Sequence, residues 1–216
     1  MENKIKLKWI KSGIICGYLT LIVYPVMIMV DLLVQFALVL AASFGILLII
    51  ASIGLYKFMS LHKNSVSLQL GALFNIIASA VVVMMFTIQL GLFSEGKKAG
   101  DEIPKEVKSY VFKTANLTQM SLDVVWDIFL SIGTILFAIN MLSHPKLGKI
   151  IGGVGIILAA GLLVLNIKVF PMPPAESGSV DLGPFVALWY FAVTILMTIS
   201  FRWARESLQI SETVSE

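Results

Sequence analysis

ALVLAASFGILLIIASIGLY, residues 37 to 56, runs for twenty positions without a charged side chain. At a rise of about 1.5 Å per residue, roughly twenty apolar residues in an α-helix cover the roughly 30 Å hydrocarbon core of a bilayer. The stretch therefore predicts a membrane span over about 36 to 57. The same reading places further spans at about 10 to 30, 69 to 92, 120 to 142, 149 to 170 and 184 to 203. Composition agrees: 58% of the 216 residues are hydrophobic and 13% charged, whereas about a quarter of a soluble domain is charged. An open sheet edge is not tolerated in lipid, and the alternation of a barrel strand is absent. The expected fold is all-α, a polytopic membrane protein in which residues 1–216 form one bundle of six transmembrane helices.

Six spans put both termini on one side. That side carries ten lysines and arginines against four acids, and the other carries six against nine. Positive charge is retained in the cytoplasm, so cytoplasmic termini and a multi-pass plasma-membrane protein are expected. MENKIKLKWIK precedes an apolar run too long for a signal peptide, with no A-x-A site after it, and reads as the start of an uncleaved first helix. Trp9, Tyr56, Trp189 and Trp203 fall near span ends, where interfacial anchors belong. In the long charged connection, Asp101 is a candidate cap and Pro104 can open a short helix over about 104 to 114. That helix would put Ile103, Val107, Tyr110, Val111 and Thr114 on one face. It reads either as an interfacial helix lying on the outer surface or as a solvated loop.

The chemistry of several enzyme classes is missing. Cys16 is the single cysteine, so no intrachain disulfide or CxxC site can form. His62 and His144 are the two histidines, both in short turns, so this chain cannot build a three-histidine metal centre. There is no G-x-S-x-G elbow. No catalytic residue, metal ligand, cofactor or nucleic-acid partner is expected, and the two histidines read as turn caps beside Pro145 and lysines. In helix five, Gly148, Gly152, Gly155 and Ala159 form a stripe of small residues that lets helices approach closely. The stripe suits packing within the bundle, or a homo- or hetero-oligomer contact.

The functional signal lies in SLDVVWDIFL, residues 121 to 130. Asn116, Gln119 or Met120, Asp123, Asp127, Ser131 and Thr134 recur at helical spacing, giving span four a polar stripe. A charged aspartate inside a span costs a few kcal/mol even on insertion scales, about 3 by those measurements, so the stripe must face protein or water. Tyr24, Gln35, Gln89, Asn166, Lys168 and Tyr190 fall at comparable depth in other spans, and Trp126 lies between the aspartates. Together they suggest an outward-opening polar cavity in which Asp127, Asp123, Trp126, Asn166, Lys168, Tyr190, Tyr24 and Gln89 contact one ligand. The competing reading is a structural ion pair between Asp127 and Lys168, with Asp123 at the headgroups and Trp126 in an interfacial belt.

The run LSHPKLGKIIGGVGIILAAGLLVLNIKVFPMPPAESGSVDLGPFVALWY, with FPMPPAESGSVDLGP as its most specific part, resembles small six-helix bacterial integral membrane proteins of unknown function. The resemblance implies a bacterial inner membrane and brings no site residues. In physical terms, Pro171, Pro173, Pro174 and Pro184 stiffen the connection, and Asp181 is placed to cap helix six. The stiffened connection reads as a cover for the cavity or as a rigid spacer. Three function classes follow: a protein that binds or transports a small molecule, ion or lipid headgroup; an accessory or assembly subunit of a membrane complex; and a lipid-directed enzyme using the two aspartates.

Overall fold

The computed structural model describes residues 2–30, 32–98 and 104–214. They form seven α-helices and no strand: α1 (Glu2–Met29), α2 (Val34–Met59), α3 (Val66–Lys98), α4 (Lys105–Met141), α5 (Gly148–Val169), α6 (Gly183–Ile199) and α7 (Phe201–Val214). The first five are long and apolar enough to cross a membrane. Only 28% to 44% of each apolar window is buried inside the protein, so most of each meets something other than protein. Ile22, Val39, Ile157 and Ile199 are among the large side chains facing outward. Such an extent of exposed hydrocarbon is stable in lipid and not in water. The chain is a helical, membrane-embedded protein.

Each helix from α1 to α6 packs on its neighbour in sequence, and α6 closes on α1. The resulting ring encloses a core that includes Ile10, Leu55, Phe58, Phe137, Met141, Trp189 and Val193. A smaller cluster of Ala41, Phe44, Val82, Met85 and Phe86 lies between α2 and α3. The termini lie at one end: the Asn3 side-chain amide donates to the Leu208 carbonyl at 3.0 Å. The turns with His62 and His144 share that end, since the His62 and His144 rings are 5.6 Å apart and His144 is 5.3 Å from Trp203. We call the opposite end, where α5 connects to α6, the loop end.

Close approach is achieved by small residues. A Cβ on Gly13 would lie 2.5 Å from the Gly54 Cα, so α1 and α2 touch backbone to backbone. In α5, Gly152, Gly155 and Ala159 are buried. A Cβ on Gly152 would lie 2.7 Å from the Ala138 carbonyl, and one on Gly155 2.6 Å from the Trp189 ring. Three residues of the predicted stripe, Gly152, Gly155 and Ala159, are therefore packed within the chain, while nothing lies within 4 Å of a Cβ on Gly148.

Two expectations are corrected. Residues 105–114 do not form a separate flat helix: α4 begins after Pro104 and continues unbroken to Met141. No glycine or proline lies between residues 105 and 120 to end it, and Val107, Tyr110 and Val111 simply remain exposed. The candidate cap Asp101 and Ile103 fall outside the described residues. The sixth span, expected over 184 to 203, ends at Ile199, and α7 leaves at a 54° bend. The cause is the change from GPFVALWYFAVTILMTI to FRWARESLQI: α7 is amphipathic, burying Ala204 and Leu208 while Arg202 pairs with Glu206 at 2.8 Å.

Candidate functional site

The polar stripe of α4 is distributed over three levels. Level one is a cleft of about 180 Å³ at the loop end, lined by Gln89 of α3, Asn116, Gln119, Met120 and Asp123 of α4, and Pro173, Ala175 and Glu176 of the loop after α5. Its amides are ordered in a chain. Gln89 Nε2 donates to Gln119 Oε1 at 2.7 Å, and Gln119 Nε2 donates to Asn116 Oδ1 at 3.0 Å. Among the described residues, two carboxylates line this cleft and no lysine or arginine does. The proline-rich loop forms one wall. Pro173 and Pro174 are buried, Ser177 Oγ donates to the Pro174 carbonyl at 2.8 Å, and Asp181 Oδ1 accepts from the Gly183 amide at 2.8 Å.

Level two, one turn deeper along α4, is Asp127. It is buried, and Asn166 Nδ2 donates to its Oδ2 at 2.9 Å while also donating to the Leu162 carbonyl at 3.0 Å. The expected pair with Lys168 does not form. Lys168 is exposed, and neither ion pair among the described residues, Lys6–Glu2 or Arg202–Glu206, includes Asp127. The reason is helical geometry: two residues apart on α5 means about 200° around the axis, so Asn166 and Lys168 face opposite ways.

Level three is a buried network at mid-bundle. Tyr190 OH donates to Asn75 Oδ1 at 2.8 Å and lies 2.8 Å from Thr134 Oγ1. Asn75 Nδ2 donates to the Gly71 carbonyl at 2.9 Å, and Ser79 Oγ donates to the Asn75 carbonyl at 2.7 Å. Gly133 makes room for the Asn75 amide, because a Cβ there would collide with it. Fully paired networks of this kind fix helix register.

The structure thus brings Asp123 and Gln89 to the cleft, sets Asp127 with Asn166 one turn below, and moves Tyr190 to a separate structural network. Trp126 packs against the α2–α3 cluster, and the Tyr24 ring lies tilted against Phe44 and Phe86 with centroids 5.4 and 6.4 Å away, so neither lines the cleft. Gln35 is exposed. Missed from the sequence were Glu176, which reaches the cleft from a loop with no periodicity to read, and Asn75. The spacing of Asn75 four residues before Ser79 was the available signal for the latter. Among the described residues no group of three His, Cys, Asp or Glu side chains comes together to hold a metal ion.

At the terminal end, His144 is buried, and its Nδ1 accepts from the amides of Lys146 at 3.2 Å and Leu147 at 3.3 Å. The cap expected there is real. Gly148, at φ +79°, turns the chain from this cap into α5. His62 is exposed beside it. Comparison with known proteins gives no match: no family model, curated protein or solved structure aligns with this chain, so the resemblance drawn from FPMPPAESGSVDLGP finds no support there.

Proposed function

We propose that this chain crosses a bacterial inner membrane six times, with α6 and α7 together as the last crossing. In this reading both termini and the His62 and His144 turns are cytoplasmic, and the loop-end cleft opens outward to bind a small cationic solute or a cationic headgroup. The observation that carries the ligand class is the cleft lining: Asp123 and Glu176 with the amides of Gln89, Asn116 and Gln119, and no cation among the described lining residues. Carboxylates and amide oxygens accept hydrogen bonds from an ammonium group, and uncompensated negative charge concentrates cations in a recess. The orientation rests on the ten-to-six asymmetry of basic residues.

Orientation is tested by thiol labelling in a Cys16→Ser background. A cysteine at Lys113 should react in intact cells, and one at Lys63 only after permeabilisation. The reverse pattern inverts the topology. Ligand class is tested by melting the purified protein in neutral detergent with choline, ethanolamine or phosphatidylethanolamine. A ligand at a hundred times its Kd stabilises the folded state by about 2.7 kcal/mol. Stabilisation by the free amines indicates a solute site, and stabilisation by the lipid alone indicates a headgroup site. Asp123→Asn with Glu176→Gln should abolish either. No response to any of the three, or an unchanged response in the double variant, defeats the proposal.

A further inference from the structure

We infer that the outward face of α1 is a docking surface for an acidic phospholipid, with Lys4, Lys8 and Lys11 holding the anionic headgroup and Ile15, Leu19 and Ile22 lying along its acyl chains. The inference depends neither on the ligand of the cleft nor on which end of the bundle faces the cytoplasm. It starts from spacing within one helix. These six residues succeed one another at steps of three or four, so at about 100° per residue they fall within an arc of roughly 80°. All six are exposed. The side of α1 turned inward is a different one, where Ile10 and Ile14 enter the core and Asn3 bonds to α7.

Depth divides this stripe into two parts that match the two parts of a lipid. No charged residue occurs between positions 12 and 30, so Ile15, Leu19 and Ile22 lie at the depth of hydrocarbon. Lys11 stands one turn before Ile15, and the three lysines occupy about 10 Å of helix on the headgroup side of it. Their charge is uncompensated. Among the described residues Lys6 pairs with Glu2 and Arg202 with Glu206, each at 2.8 Å, and neither pair includes the stripe. The other cations of this end are placed differently: Lys57 is half-buried, with its ammonium 5.1 Å from the Tyr56 ring centroid, and Lys63 and Lys146 lie in turns between helices.

Charge and the hydrocarbon beneath it together select the occupant. A free anion would use the lysines and leave the apolar row without a part. A zwitterionic lipid would bring its own cation toward three ammonium groups. An acidic phospholipid supplies a net negative headgroup at the level of the lysines and acyl chains at the level of the isoleucines, and basic residues beside a span attract such lipids. A second copy of the chain in the same membrane would meet this stripe at the same depth, where a symmetric contact sets lysine against lysine.

The test is thermal melting of the full chain in neutral detergent with added dioleoylphosphatidylglycerol, dioleoylphosphatidylcholine, glycerophosphoglycerol or inorganic phosphate. Phosphatidylglycerol should raise the melting temperature saturably and by more than phosphatidylcholine, and the difference should shrink in high salt. The two anions without acyl chains should have no effect. Lys4→Gln with Lys8→Gln and Lys11→Gln alters only exposed side chains and should fold. It should weaken the apparent affinity for phosphatidylglycerol about tenfold or more while keeping the response to phosphatidylcholine. Lys63→Gln with Lys146→Gln and Lys149→Gln removes equal charge from the same end and should retain the phosphatidylglycerol response. Equal stabilisation by the two lipids, stabilisation by either chainless anion, an unchanged response in the α1 variant, or an equal loss in the turn variant would each overturn the assignment. A dimer on size-exclusion chromatography that the α1 changes dissociate or strengthen would overturn it too, by giving the stripe to a second copy.

Discussion

Gly54→Leu is expected to be among the most destabilising single changes in this protein, because it acts where two backbones meet. A Cβ at residue 54 would stand 2.5 Å from the Gly13 Cα and 3.0 Å from the Trp9 carbonyl. Neither obstacle is the end of a flexible side chain, so relief requires α1 and α2 to separate along their length. Overpacking of a well-fitted interior costs about 1 to 3 kcal/mol, and the rigidity of both partners puts this case at or above about 3. Gly54→Ala already places an atom in the contact and should cost part of that. Gly152→Leu should also destabilise, since its obstacles include the Ala138 carbonyl, but the Leu142 side chain beside it can move. Gly153→Leu supplies the control: nothing lies within 4 Å of its Cβ, and it should melt as the wild type does. Thermal unfolding with size-exclusion chromatography in one detergent ranks the four. Wild-type behaviour of Gly54→Leu would mean that α1 and α2 do not cross where the structure places them.

Gly13 and Gly54 also show where reading the sequence reaches its limit. The helices themselves were legible, because uninterrupted hydrophobicity has a length scale: α2 and α5, expected over 36 to 57 and 149 to 170, run Val34–Met59 and Gly148–Val169. The small-residue face of α5 was legible because Gly148, Gly152, Gly155 and Ala159 repeat at helical spacing on one element. A contact made by one glycine from each of two helices leaves no periodic trace in either. The site divides in the same way. The stripe Asn116, Gln119, Asp123, Asp127, Ser131 and Thr134 could be read from spacing within α4. Which residue answers Asp127 depends on the rotation of α5, and charge pairing suggests Lys168 where the structure supplies Asn166. An amide donor is the cheaper partner inside the bundle, since it avoids desolvating a second ion, while Lys168 keeps its charge at the surface. Glu176 was hidden for another reason: loop residues are positioned by the fold, here by the buried prolines beside them.

The other large effect is expected at the terminal end, from pH. His144 is buried against Phe58 and Trp203, with ring centroids at 5.3 Å from each. Burial, followed by the nearby His62, pushes its pKa down from 6.5 to about 4, with the Phe58 backbone carbonyl acting weakly the other way. Geometry points the same way, because protonating Nδ1 would remove the lone pair that accepts the Lys146 and Leu147 amides. In the unfolded chain the imidazole titrates near its ordinary 6.5, so between 6.5 and 4 the unfolded state binds more protons than the folded one. Stability is therefore full above about pH 6.5, falls as the pH drops through that window, and levels off below about 4. The total loss should be about 3 kcal/mol, since each tenfold difference in proton affinity between the two states is worth roughly 1.4 kcal/mol. His144→Asn separates titration from capping: its side-chain oxygen can accept the same amide hydrogens, but it takes up no proton. It should be modestly less stable at pH 7.5, from lost ring packing, yet nearly flat from 6.5 to 4 in this contribution. His144→Ala loses the cap as well and should be weaker at every pH. Unfolding measured in detergent from pH 7.5 to 4 distinguishes these curves, and a His144→Asn protein whose stability declines in parallel with the wild type would show that the acid sensitivity arises elsewhere.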